Sequence, residues 1–259
     1  MTMALTMDRA AEWRAFDERA RKEEDAYIAA ALAQFAFEQR DVAAILARYG
    51  AGDPFIIAAV DRILANYAPG GDYHAQWLGR YTKLIGQTVQ VGGAHVQATV
   101  GFDFTLSNPR VQSIIRQRAA DLVTNVTDTT KASIRLAVES GRNEGLGTRE
   151  IAQRIHDTTF GDITKTRAQT IARTETVGAL NAGEYQAALD SGVMRSKTWL
   201  TQQDERVRDS HQALDGVRVD IGAAFANGLL YPHAPGAPAS EVVNCRCTLT
   251  FSDEEAHRV

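Results

Sequence analysis

From Asp8 to Tyr49 the chain contains neither glycine nor proline. A stretch of that length, rich in Ala, Glu and Arg, has no local reason to turn, and helix is the conformation in which its backbone amides all find partners. Large apolar residues recur at Trp13, Phe16, Tyr27, Leu32, Phe35, Ile45 and Leu46, and "DERARKEED" supplies a solvated run of both charge signs. The spacing predicts one long helix or two stacked ones over 8–49, packed on its own domain or laid against another subunit. "GAGDP" at 50–54 ends it, with Asp53 placed as N-cap and Pro54 at the first helical position of a helix over 54–66. "APGGD" at 68–72 stops that helix. Residues 73–92 read as helical again, while "HVQATVGFDFTL" at 95–106 fits strand and loop equally.

From Asn108 the pattern sharpens. A Ser107/Asn108 cap and Pro109 precede Val111, Ile114, Ile115, Ala119 and Leu122 at helical spacing. The expectation is helix over 109–140, with a break near "NVTD". Thr148 heads a short helix with Ile151, Ala152 and Ile155 on its inner side, and another helix follows over 164–190. Beyond residue 192 the texture changes: "VMRSKTWLT" is strand-like, "DERVRDSHQAL" reads as a short helix and "VVNCRCTLTF" as a second strand. The fold class is therefore α+β and predominantly helical: a helical arm (1–106), a helical connector (107–160), a small α+β domain (161–252) and a tail (253–259).

Composition narrows the function classes. With 259 residues, 44% hydrophobic and 23% charged, the chain has the make-up of a soluble globular protein. No apolar run approaches the roughly 20 residues that span a bilayer, so no membrane partner is expected. The start, "MTMALTMDRAAEW", has neither a basic leader nor a long apolar stretch, which points to a product made or assembled in the cytoplasm. The net charge is −4, and from residue 200 onward nine acids face five arginines and no lysine. That balance argues against a DNA-gripping role, although arginines can still cluster in three dimensions.

Three motifs follow one another in the C-terminal third: "RAQTIARTETVGALNAGEYQAAL" (167–189), "KTWLTQQDERVRDSHQALDG" (197–216) and "PGAPASEVVNCRC" (235–247). In this order, with a tryptophan ahead of "DERVR..H..LDG" and a closing "NCRC", they resemble the phage Mu protein F-like family, the minor head or head morphogenesis proteins of tailed bacteriophages and prophages. The resemblance covers roughly residues 105–250. It singles out Arg173, Glu175, Asn181, Trp199, Asp204, Arg208, His211, Asn244, Cys245 and Cys247. It implies a non-enzymatic minor capsid protein at or near the portal vertex, assembled in the bacterial host cytoplasm and carried in the virion. Its implied partners are the portal protein and a major capsid or scaffolding protein, with roles in head assembly and in DNA packaging or ejection. No G-x-x-x-x-G-K-[ST] and no G-x-G-x-x-G between strand and helix points to a nucleotide cofactor.

The residues themselves allow a second class. Thr174, Glu175, Gly178 and Asn181 share one face of their helix with Ile171, and Arg167 and Arg173 flank it. Glu175 is either a structural acceptor for Arg208 or for sheet backbone, or a catalytic acid. In the latter case Arg208 would be the phosphate clamp and His211 the base of a small metal-independent nuclease. Domains of this family also occur fused to toxin modules, but the chain stops about a dozen residues after "NCRC", leaving no expected room for one. His211 lines up with Val207 and Leu214 on an apolar face. If 242–251 is a strand, Cys245 and Cys247 share a face with Cα atoms about 7 Å apart, too far for an unstrained bridge. They are then buried packing thiols, or, with His211, ligands of a structural zinc whose fourth ligand comes from His233, Asp204 or Asp209. A one-residue spacer departs from the usual Cys-x₂₋₄-Cys pattern.

Overall fold

The computed structural model describes residues 8–48 and 53–256. The stretch "MTMALTM", the break at 50–52, the side chains of Asp53 and Pro54 with their capping role, and residues 257–259 lie outside the described residues. Six helices come first: α1 (Arg9–Arg48), α2 (Asp53–Asn66), α3 (Asp72–Val100), α4 (Pro109–Asn143), α5 (Thr148–Ile155) and, after a π-helical turn (His156–Phe160), α6 (Ile163–Ser191). A small sheet with two one-turn helices follows: β1 (Ser196–Leu200), α7 (Asp209–Gln212), β2 (Arg218–Asp220), α8 (Ala239–Val242) and β3 (Thr248–Ser252). The fold is helical α+β. Among the described residues no helix is long and apolar enough to cross a membrane.

Three local expectations are corrected. The stretch 95–100 is neither strand nor loop but the end of α3, and the chain turns irregular only from Gly101, whose φ is +70°. Helix α4 has no break at "NVTD". There the hydroxyls of Thr129 and Thr130 donate to the carbonyls of Asn125 and Val126 at 2.8 and 2.9 Å, so the helix itself satisfies them. The third difference is that "VVNCRC" is not strand. Helix α8 and an irregular link occupy it, and pairing starts only at Thr248.

By packing, the chain divides into two units built from separated segments, a different cut from the linear one expected above. Residues 26–83 and 119–171 form one unit. Its core joins Val42, Ile45 and Leu46 of α1, Ile56 and Ile63 of α2, Ile134 of α4, Ile151 and Ile155 of α5, and Phe160 of the π turn. These are the helical-period positions of the sequence, each contributing on the order of 1.5–3 kcal/mol by burial. Helix α5 is opened by Gly147, whose N–H donates to the Glu150 carboxylate at 2.7 Å. Beside this core Glu38, fully buried, accepts hydrogen bonds from Gln34 (3.1 Å), Tyr67 (2.9 Å) and Trp77 (2.5 Å). Burial pushes its carboxyl up to about 7, against the pull of those three donors.

The described residues of the other unit are 8–25, 84–118 and 172–256. Its centre is the second half of α6, where Val177, Leu180, Asn181, Glu184 and Tyr185 are all buried, so the helix has no solvent face there. Two glycines let α3 and α6 touch backbone to backbone: a Cβ on Gly92 would overlap the Leu180 carbonyl, and one on Gly183 the Val89 carbonyl. Phe16 and Ala20 of α1 pack on Val177 and Leu180. The sheet has the order β2-β1-β3 and is antiparallel throughout, with Trp199 opposite Leu249 and Lys197 opposite both Phe251 and Val219.

Candidate functional site

Strand β1 carries Trp199 into the interior of its unit, and the chain then turns through 201–208 into α7. The turn at 204–207 is closed by the Asp204 carboxylate, which accepts the Arg206 N–H at 3.0 Å. Helix α7 is one turn long and buries His211, which is 2% exposed, against the Trp199 ring edge-on at 5.3 Å. On the far side of the Pro-rich loop, α8 ends at Val242 and Asn244 takes φ +57°, a left-handed conformation that asparagine tolerates. That reversal brings the thiols toward α7. In a continuous strand their separation would be fixed by the pleat. Here the backbone folds so that the Cys247 N–H donates to Cys245 Sγ at 3.4 Å.

His211 Nδ1 lies 3.5 Å from Cys245 Sγ and 3.5 Å from Cys247 Sγ, while Nε2 meets the Glu241 carboxylate at 2.8 Å. Both thiols are free and buried. The hydrogen bond from Cys247 and those from the His211 and His233 side draw the Cys245 thiol well below the ordinary cysteine range, although burial opposes them. Cys247 is driven the other way by Cys245 and by burial. Burial alone would lower His211, but the neighbouring Cys245 and Glu241 outweigh it and raise the imidazole. The two thiols are thus pushed in opposite directions beside an imidazole held by Glu241.

The backbone of this segment is fixed from several directions. The Arg208 guanidinium donates to the Val243 carbonyl (2.6 Å), the Asn244 N–H to the Thr174 hydroxyl (3.1 Å) and the His233 Nε2–H to the Cys245 carbonyl (3.0 Å). Asn181 of α6 donates to the Cys247 carbonyl and accepts from Thr248, each at 2.9 Å. Arg246, 14% exposed, forms ion pairs with Asp17 and Glu24 of α1, and its carbonyl accepts from the Trp13 indole at 3.0 Å. The first turns of α1 are therefore clasped to the cysteine segment, and Arg9 adds an ion pair with Asp215.

Above the thiols opens a cavity of about 570 Å³ whose walls include Arg21, Arg173, Arg206, Arg208, Arg246 and Asp204. Arginines do cluster in space despite the acidic sequence. Arg21 and Arg246 pair with Asp17 and Arg246 also with Glu24, while Arg208 donates to a backbone carbonyl and Arg173 to Asn244, so carboxylates match part of this cationic wall.

The residues singled out in the sequence are not all gathered here. His211, Cys245 and Cys247 come together, with Asp204, Arg173 and Arg208 on the same cavity wall. Arg173 reaches Asn244 Oδ1 at 3.4 Å. Asp209 faces a different cavity, and His233 bonds backbone rather than joining the ligand cluster. The Glu175 carboxylate meets Arg118 of α4 at 3.1 Å, and Glu175 is not among the residues that line the cavity of Arg208 and His211. Two partners were missed. Arg118 lies on the apolar stripe of α4 between Ile115 and Leu122, a legible anomaly: its guanidinium fills the space a Cβ on Gly178 would take, and it donates to the His233 carbonyl at 2.6 Å. Glu241 carries no signal beyond standing four residues before Cys245.

Parts of the chain are similar in sequence to known proteins. The chain is 36% identical over 117 residues to "NAD(+)--arginine ADP-ribosyltransferase EFV" of Enterococcus faecalis, a stretch covering 42% of this chain and 23% of that protein. It is 26% identical over 145 residues to "Minor head protein GP7" of Bacillus phage SPP1, covering 53% of this chain and 43% of that one. The chain spans less than half the length of these curated relatives. No solved structure matches it. Residues 132–250 match the family described as Phage Mu protein F like protein, a span that takes in α6, the sheet and the His211–Cys245–Cys247 cluster. Over residues 132–250 the chain is thus similar to phage Mu protein F-like proteins, the family to which the order of its sequence motifs pointed.

Proposed function

We propose that the protein is a minor head protein of a tailed bacteriophage or prophage. It joins the particle at the portal vertex during head assembly and is retained in the virion. The observation that carries this reading is the 145-residue likeness to Minor head protein GP7, which runs beyond the Mu F-like domain itself. The chemistry of the site is in keeping with it. The groups available for catalysis are engaged in holding backbone: Arg208 on Val243, Asn181 on Cys247, and Arg118 between Glu175 and the His233 carbonyl. Its partners are the portal protein and a major capsid or scaffolding protein. DNA contact is not supported by the chain's net charge of −4.

The likeness to the ADP-ribosyltransferase motivates a second reading, an arginine-modifying enzyme, but it covers only 23% of that relative. Two measurements separate the readings. Quantitative mass spectrometry of purified particles should find this chain alongside portal and major capsid proteins, with cross-links to the portal. Particles that hold both of those proteins and none of this chain refute the proposal. Transfer of labelled ADP-ribose from NAD to arginine by the purified protein would establish the second reading instead.

A further inference from the structure

We infer that His211, Cys245 and Cys247 form a zinc site, with the two thiolates and His211 Nδ1 as protein ligands and solvent from the arginine-walled cavity as the fourth. The three donor atoms lie within 4.8 Å of one another, and all three residues are buried. The two sulfur–nitrogen spacings are those of a coordination sphere. Zinc bonds of about 2.3 Å to sulfur and about 2.05 Å to nitrogen, at the tetrahedral angle, put sulfur and nitrogen roughly 3.6 Å apart. Both sulfur–nitrogen distances are 3.5 Å.

The surroundings carry two further marks of a metal ligand set. His211 turns Nδ1 to the sulfurs while its other nitrogen is tied to the Glu241 carboxylate at 2.8 Å, the arrangement that fixes a ligating imidazole's tautomer and raises its basicity. The Asn227 amide reaches the same carboxylate at 3.4 Å, so the orienting group is itself held. The Cys247 N–H donates to Cys245 Sγ at 3.4 Å, which stabilises charge on that sulfur. Two thiolates and an imidazole suit zinc, whose charge the thiolates cancel, so the arginines of the cavity do not oppose the ion. Binding displaces the thiol protons. The ion would fasten α7 to residues 243–247, which hydrogen bonds already tie to α6 and α1.

The test uses the full chain, purified with reductant and without chelator after growth in zinc-replete medium. Elemental analysis should find about one zinc per chain. Replacement by cobalt(II) should give thiolate-to-metal charge-transfer absorption and the intense visible bands of a tetrahedral ion. Chelation should free two titratable thiols. C245S, C247S and H211A should each lose the metal, D209N should keep it, and Glu241→Gln should weaken affinity roughly 10–100-fold. The inference is overturned by wild-type protein with less than about a tenth of a zinc per chain and no cobalt charge-transfer band, by zinc retained in the double serine variant, or by a disulfide between the two cysteines. The wild-type measurements decide the matter even if the variants fail to fold.

Discussion

Replacing Glu38 by Gln should change the stability of its unit by an amount that depends on pH. The carboxyl is fully buried beneath Gln34, Tyr67 and Trp77, and burial holds it at about 7 instead of 4.5. At about 1.4 kcal/mol for each tenfold change in proton affinity, that preference for the neutral form amounts to about 3 kcal/mol. Below pH 4.5 the side chain is protonated in the folded and unfolded chains, and the contribution is present in full. Between 4.5 and 7 the folded chain keeps the proton that the unfolded chain has lost, so raising the pH favours unfolding. Above 7 the folded protein carries a buried carboxylate, and the contribution is gone.

Glutamine has the same shape and no charge, so E38Q lacks this dependence. Urea unfolding of both proteins, followed by helical circular dichroism from pH 4.5 to 8, should show the variant gaining on the wild type by about 3 kcal/mol across the range. Glu184, also buried and raised to about 7, adds its own slope to both proteins and cancels in the difference. A difference between variant and wild type that stays constant over that pH range would refute the reasoning.

Three more outcomes are expected. Glu175→Leu and Arg118→Met should each cost about 3–5 kcal/mol by breaking an ion pair between side chains 12% and 6% exposed; in a double-mutant cycle from urea unfolding the combined variant should cost far less than their sum, and additivity would argue against the pair. Gly183→Ala puts a methyl group into the Val89 carbonyl and should lower stability by about 1–3 kcal/mol although alanine is the better helix former; a thermal melt at or above the wild type's would show that α3 and α6 are not in backbone contact. Lys197, fully buried, is lowered by burial to about 8 while its ammonium donates to the Ile221 carbonyl at 2.8 Å. Its contribution is therefore present in full above pH 10.5 and lost as pH falls to 8, so K197M should have its greatest advantage over the wild type below pH 8, read from urea midpoints at pH 7.5 and 10.5.

The helices were legible because their signals are local. Proline and capping residues at 107–109 and the period of Val111, Ile115 and Leu122 specify α4 without reference to anything else in the chain. Its continuity through "NVTD" was not legible, because threonine favours strand and cap by propensity, and only inside the helix do its hydroxyls find carbonyls four residues back. The cysteine segment shows the opposite limit. Alternation in "VVNCRCTLTF" is a fair strand pattern, and its second half is a strand. The first half is held off the sheet by Thr174, Asn181, Arg208 and His233, all distant in sequence, and by the left-handed Asn244. Which histidine would approach the thiols was readable from the order of motifs; that Glu241 would orient it was not, since one carboxylate among many carries no mark until the loop is folded.

The clasp between the first turns of α1 and Arg246 sets the order in which the protein can form on the ribosome. Residues 26–83 and 119–171 can complete their packing once residue 171 has left the exit tunnel. Trp13 must wait for the Arg246 carbonyl, 233 residues later, and Asp17, already paired with Arg21, for the Arg246 guanidinium 229 residues later. Phe16 can be covered once Val177 and Leu180 are made, but until Arg246 follows the Trp13 indole lacks its backbone acceptor. Closing so long a loop adds little entropy cost per residue, so the delay falls on the rate of folding far more than on final stability. The last event of folding is then the arrival of the cysteine segment, which brings the beginning and the end of the described chain under one lock.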